Sequence, residues 1–310
     1  MYSIEGARSI MGTSVTITVV HTDVGEAKEA VRCAFDEMSK ISDLLSVYKE
    51  KSEVSALNRN GLYERASAEL IEVIERASYY SELSDGAFDV TVLPVLDLWE
   101  EKLGGGKVPT SEEIDKALGL VNYKNIAIEK GGIRFKKKGM GITLAGIAKG
   151  YVVDKAIEAL KQKNIRHALV NAGGDIRVIG TKVKGAPWRV AVRDPQNKRE
   201  SITIVKLRDR AIATSGCYER YLGKEAWARR QSVSHVINSK TGQPVQGPIS
   251  STVVAKKAID TDTLATIILI VGTNKGMELI ERLDGVEALV ITDKGKVIRS
   301  GNFQRYESSR

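Results

Sequence analysis

A carboxylate and a hydroxyl four residues apart, Asp262 and Thr266, stand at the start of an apolar run, Asp262-Thr263-Leu264-Ala265-Thr266. Positions i and i+4 of a helix share a face, so the two oxygens converge as hard ligands of the kind magnesium takes. The same pair also suits a structural arrangement, with Asp262 capping the helix and Thr266 bonding back to its carbonyl. The segment Ala145-Gly146-Ile147-Ala148-Lys149-Gly150-Tyr151 carries two glycines that let a ligand approach the backbone. Lys149, on the first helical turn, faces an anion already favoured by the helix N-terminus, or is a surface lysine beside a turn. Asn171-Ala172-Gly173-Gly174-Asp175 leaves the same choice between a simple turn and a close ligand approach. His235, one of 3 histidines, precedes the turn Lys240-Thr241-Gly242. A neutral imidazole accepts a proton from a hydroxyl nucleophile; a hydrogen-bonded structural histidine is the alternative. His21 and His167 have no such companions and read as structural.

The phosphate loop G-x-x-x-x-G-K-[ST], the dinucleotide loop G-x-G-x-x-G, the zinc motif H-E-x-x-H and the nucleophile elbow G-x-S-x-G are all missing from the sequence. If a dinucleotide is bound, its phosphates must be neutralised by some other device, such as a metal or glycine-flanked backbone amides. The net charge of +8 steers a phosphate-bearing ligand or an acidic partner. Its basic residues are scattered, in runs no longer than Lys136-Lys137-Lys138, and no nucleic-acid module appears, so no nucleic-acid partner is expected. The longest apolar stretch, Leu264 to Val271, falls far short of the roughly 20 residues that span a bilayer, so no membrane span is expected. Met1 to Gly6 offers neither a basic nor an apolar leader region, which suits a cytoplasmic chain or an exported one whose leader was removed. The two cysteines, Cys33 and Cys217, make no disulfide framework and no zinc spacing.

These residues need a scaffold, and 310 residues with 42% hydrophobic and 28% charged content describe a globular chain with a core. Alternation predicts a strand over 13–20. An apolar stripe of Ala27, Ala30, Val31, Ala34, Phe35, Met38, Ile41 and Leu45 predicts a helix, and another is expected over 67–83. Thr110 to Glu113 has capping-box spacing. A hairpin is predicted around Lys130-Gly131-Gly132, then a helix with Val153, Ile157 and Leu160 inward, and a strand over 168–170. Strand pattern dominates 176–213, followed by helices near 260–271 and 275–283 and a closing hairpin turning on Asp293-Lys294-Gly295. Hairpins mixed with packed helices favour an α+β fold with mixed or antiparallel sheets over a doubly wound one.

Taken together, the residues resemble the ApbE-type flavin transferases, also called FAD:protein FMN transferases, over nearly the whole chain. The likeness rests on ordered motifs: Met11-Gly12-Thr13; Ser52 to Asn58; Gly86-Ala87-Phe88-Asp89-Val90-Thr91 with Leu98-Trp99; Gly146 to Tyr151; Gly173-Gly174-Asp175; Ala213-Thr214-Ser215-Gly216; His235 with Thr241-Gly242; and Asp262 with Thr266. It implies a single ApbE-like unit over 1–310. The implied activity is magnesium-dependent transfer of the FMN half of FAD to a Thr or Ser hydroxyl of an acceptor protein, releasing AMP. The resemblance also implies, as one such acceptor, a respiratory-chain subunit. An FAD pyrophosphatase and a non-catalytic FAD-binding protein are the competing expectations. By position, Asp262, Thr266 and the Gly146 carbonyl match the metal ligands, and Lys149 a dinucleotide contact. Met11, Tyr48, Ala87, Phe88, Asp89 and Thr143 match positions around the flavin nucleotide, and His235 the general base or acceptor-orienting residue. Thr143 stands where the family often has Asp, Asn238-Ser239-Lys240 replaces a frequent Asp-Pro-Arg, and Cys217 sits where an acid is common.

Overall fold

Strict alternation of apolar side chains sends one set to each face of a central sheet. The computed structural model describes residues 1–197, 199–217, 221–222 and 233–308. Its sheet of eight strands runs β1 (Tyr2–Ile10), β2 (Thr13–His21), β3 (Ala168–Ala172), β4 (Asp175–Ile179), β5 (Ala211–Gly216), β6 (Ser250–Ala255), β7 (Glu287–Ile291) and β8 (Val297–Arg299). Spatial order follows chain order, and every neighbouring pair is antiparallel. The long excursions between β2 and β3 and between β6 and β7 carry the helices.

Val15, Ile17, Val170, Ala213, Val253 and Val290 point to the helical side and are buried. Their alternates Val178, Ile212, Val254 and Leu289 join a second cluster on the other face. There the hairpin of Trp188–Arg193 and Ser201–Leu207, with Phe303, covers the sheet. A sheet buried on both faces explains why β6 is buried along its whole length.

The helical layer contains α1 (Val24–Leu45), α2 (Glu53–Asn60), α3 (Ala68–Leu83), α4 (Leu93–Gly104), α5 (Ser111–Leu118), α6 (Ala148–Gln162), α7 (Ala258–Val271) and α8 (Thr273–Glu281). The buried residues of α1 are the eight of the predicted stripe, and α5 opens on the predicted capping box of Thr110 and Glu113. The hairpin over Ile126–Glu129 and Gly132–Phe135 turns through Lys130 and Gly131 at positive φ of 51° and 77°. Several elements escaped prediction, among them the central strand β6. β1 has only Ile10 fully buried, so it shows no apolar alternation, and α2 and α4 are too short for a decisive stripe.

α7 is buried on nearly every side, as its apolar composition demands. α6 crosses it at Gly150, where a Cβ would lie 2.3 Å from the carbonyl oxygen of Ala258. The glycine pair 146 and 150, expected to admit a ligand, therefore divides its work. Gly150 admits the neighbouring helix, and Gly146 packs on Phe88 and Thr266, with a Cβ at 3.1 Å from Phe88 Cε2.

Candidate active site

A cleft of about 220 Å³ opens at one end of the sheet. Its walls come from Thr13 at the start of β2, Gly173 in the β3–β4 turn, Ser215 near the end of β5, the first turn of α6, the middle of α7, and the loop segments around 88–92 and 235–239. Strand ends and helix starts meet there, so backbone amides and short polar side chains face one space.

α7 contributes the only polar pair of its cleft-facing side, Asp262 and Thr266. Asp262 lies in the second turn of α7 rather than at its cap, because the first amides are taken by another residue. Asp154 of α6 accepts from Ala258 N at 2.8 Å and Ile259 N at 3.0 Å, and it also pairs with Arg177 at 2.7 Å. Asp262 Oδ2 accepts the Gly150 N–H at 2.9 Å. Burial, then the nearby Asp175 carboxylate, push the Asp262 carboxyl up to about 7, against the pull of Lys149 and the Gly150 amide. Thr266 donates back to the Asp262 carbonyl at 3.1 Å, the structural bond its spacing allowed, and its Oγ1 also lies 3.3 Å from Ser215 Oγ.

Phe88, Asp89, Thr143, Gly146, Lys149 and His235 join this pair in the cleft wall. Tyr48, Met11 and Ala87 do not: Tyr48 is 92% exposed between α1 and α2, and Met11 and Ala87 pack with the core. Asp89 is already engaged, its Oδ1 accepting from Thr91 N at 2.8 Å and Oδ2 from Tyr123 N at 2.8 Å. Burial pushes its carboxyl up, and those donors pull it back. Thr143 Oγ1 accepts weakly from Ala145 N at 3.4 Å.

The segment bearing His235 is fastened at three places. Ser239 N donates to the Ala87 carbonyl at 3.0 Å, Lys240 pairs with Asp85 at 2.6 Å, and Trp99 Nε1 donates to the Gly242 carbonyl at 2.8 Å. These bonds account for Leu98-Trp99 and Thr241-Gly242 belonging to one set of motifs. Two acids that sequence reasoning left without a role, Asp154 and Asp175, underlie the site. Their signal was a charged residue inside an otherwise apolar helix face and at the head of an apolar strand.

Among the described residues no three His, Cys, Asp or Glu side chains cluster as a protein-only metal cage needs. Asp262, Thr266 and Gly146 line the cleft together and offer a carboxylate, a hydroxyl and a backbone carbonyl as oxygen ligands. Such hard oxygens fit magnesium, which is held by one or two carboxylates with water and substrate phosphates completing its shell.

The sequence model of the ApbE family matches residues 11–290, so the chain belongs to the ApbE family. The FAD:protein FMN transferase of Vibrio cholerae serotype O1 is 30% identical over 307 residues, covering 96% of this chain and 89% of that protein. The FAD:protein FMN transferase of Haemophilus influenzae is 30% identical over 301 residues, covering 93% of this chain and 84% of that protein. Among solved structures, the ApbE protein of Thermotoga maritima matches with a TM-score of 0.88 at 30% identity, covering 99% of this chain and all of that one. The apo flavinyl transferase ApbE of Pseudomonas stutzeri matches with a TM-score of 0.85 at 28% identity, covering 100% of this chain and 98% of that one. The α+β architecture expected from the sequence is thus the ApbE fold.

Proposed function

We propose that this chain, as one ApbE-like unit over 1–310, transfers the FMN moiety of FAD to a Thr or Ser hydroxyl of an acceptor protein and releases AMP. One observation carries the reading: Asp262 and Thr266 face a single cleft together with Gly146, Lys149 and His235. The family relatives named above supply the reaction class.

In this reading Asp262, Thr266 and the Gly146 carbonyl would hold magnesium, which would offset the negative charge of the diphosphate. Lys149 brings a second positive charge to the same anion. Phe88 offers an apolar ring surface at the cleft wall, Thr143 a hydroxyl, and Asp89 the rigid turn that carries Phe88. Met11, Tyr48 and Ala87 match flavin-nucleotide positions by resemblance and lie outside this cleft wall. His235 accepts the proton of the acceptor hydroxyl as its oxygen forms a bond to the FMN-side phosphorus. The bond from that phosphorus to the bridging oxygen breaks, and AMP leaves with that oxygen. The proton held by His235 then passes to solvent or product.

The test is incubation with FAD, magnesium and an acceptor such as a respiratory-chain subunit carrying a Thr or Ser flavinylation site, followed by mass spectrometry. The expected result is a gain of one FMN phosphoryl group on the acceptor, dependent on magnesium. Free FMN and AMP with no adduct would instead identify a pyrophosphatase, and intact FAD a binding protein.

A further inference from the structure

Asp175 is a buried acid that the proposed chemistry leaves unused. It opens β4 directly after Gly173 and Gly174, whose positive φ of 63° and 105° make a turn that an L side chain rarely adopts. The turn is closed by Gly174 N donating to Asn171 Oδ1 at 2.9 Å. Its carboxylate sits behind the cleft wall, 3% exposed, and its partner among the described residues is the ammonium of Lys149. The lysine side chain is 33% exposed and does line the cleft. Asp175 is thus the rigid member of the pair and Lys149 the one that reaches the ligand space.

A buried ion pair is weak support for stability, since well-packed apolar residues often do as well. Its other use is to order a flexible side chain. Lysine carries a point charge on four rotatable carbons, and fixing it before the ligand arrives removes an ordering cost from binding. Because the Gly150 amide of the same helical turn is held by Asp262, both contacts of this turn are set before a ligand enters.

We propose that Asp175 is a positioning residue for diphosphate recognition, holding the Lys149 ammonium at the cleft wall and acting on dinucleotide binding chiefly through it. The inference rests on the reading of the cleft as an FAD site. Flavin fluorescence titration in magnesium gives the FAD Kd for the wild type, Asp175→Ala, Asp175→Asn, Lys149→Met and the Asp175→Ala/Lys149→Met double variant. Asp175→Ala and Lys149→Met should each weaken FAD by about tenfold. The double variant should bind no more weakly than Lys149→Met, and Asp175→Asn, which keeps an acceptor oxygen, should lie between wild type and Asp175→Ala. Turnover should show the loss in KM for FAD, with kcat little changed. An unchanged or tighter Kd in Asp175→Ala, or additive losses in the double variant, overturns the proposal; if Asp175→Ala fails to fold, an unchanged or tighter Kd in Asp175→Asn does so. A wild type that binds no FAD overturns the FAD reading itself, and the positioning role with it.

Discussion

Gly150 donates its backbone N–H to the Asp262 carboxylate at 2.9 Å, and at the same residue α6 approaches α7 so closely that a Cβ would lie 2.3 Å from the Ala258 carbonyl oxygen. The helix crossing and the carboxylate position are therefore one feature. The first turn of α6 aims its amide at the acid on α7, as helix N-termini favour anions.

Gly150→Ala should push the two helices apart. The expected cost is about 1–3 kcal/mol, the range for overpacking a tight interior, read as a lower denaturant midpoint. Magnesium-dependent turnover should fall as well, because Asp262 loses its fixed donor. A variant with wild-type stability and rate would show that the crossing does not set the site.

Asp154→Ala tests how α7 is anchored. It leaves the largely covered Arg177 without its carboxylate and uncaps Ala258 and Ile259. Breaking a buried pair of this kind costs about 3–5 kcal/mol, measurable by urea unfolding. A loss below about 1 kcal/mol would mean that neighbouring groups replace the cap.

Asp262→Asn keeps volume and an acceptor for Gly150 while removing the charge. Stability should change by less than about 1 kcal/mol, since the carboxylate is costly to bury. Transfer should drop by at least about 100-fold, because losing a ligand exceeds the effect of losing its supporting partners. Full activity with normal magnesium dependence would exclude Asp262 from the ion's shell.

His235→Asn should slow transfer by about 10²- to 10⁴-fold if the imidazole takes the acceptor's proton, with FAD still bound. Single-turnover kinetics at saturating FAD separate the two effects. A reduction of less than about tenfold would leave His235 an orienting role only.

Much of this architecture was readable because local chemistry and tertiary placement agree. The α1 stripe, the Thr110–Glu113 box and the Lys130-Gly131 turn each satisfy their own neighbourhood. The Asp262–Thr266 pair was legible because helical spacing alone places both residues on one face. The rest depended on partners distant in sequence. Asp175 pairs with Lys149 across 26 positions, and Asp154 caps a helix more than 100 residues on. Gly150 looked like a ligand approach and is a helix crossing, a distinction that only the position of Ala258 makes. Tyr48 matches a flavin position in the chain order and stands 92% exposed, outside the cleft wall.

The most direct measurement is a crystal structure of the protein soaked with FAD and magnesium. The expected result is an ion about 2.0–2.1 Å from an Asp262 carboxylate oxygen and the Thr266 hydroxyl, touching the dinucleotide's phosphates. FAD bound with its diphosphate elsewhere, or an ion that avoids both side chains, would contradict it.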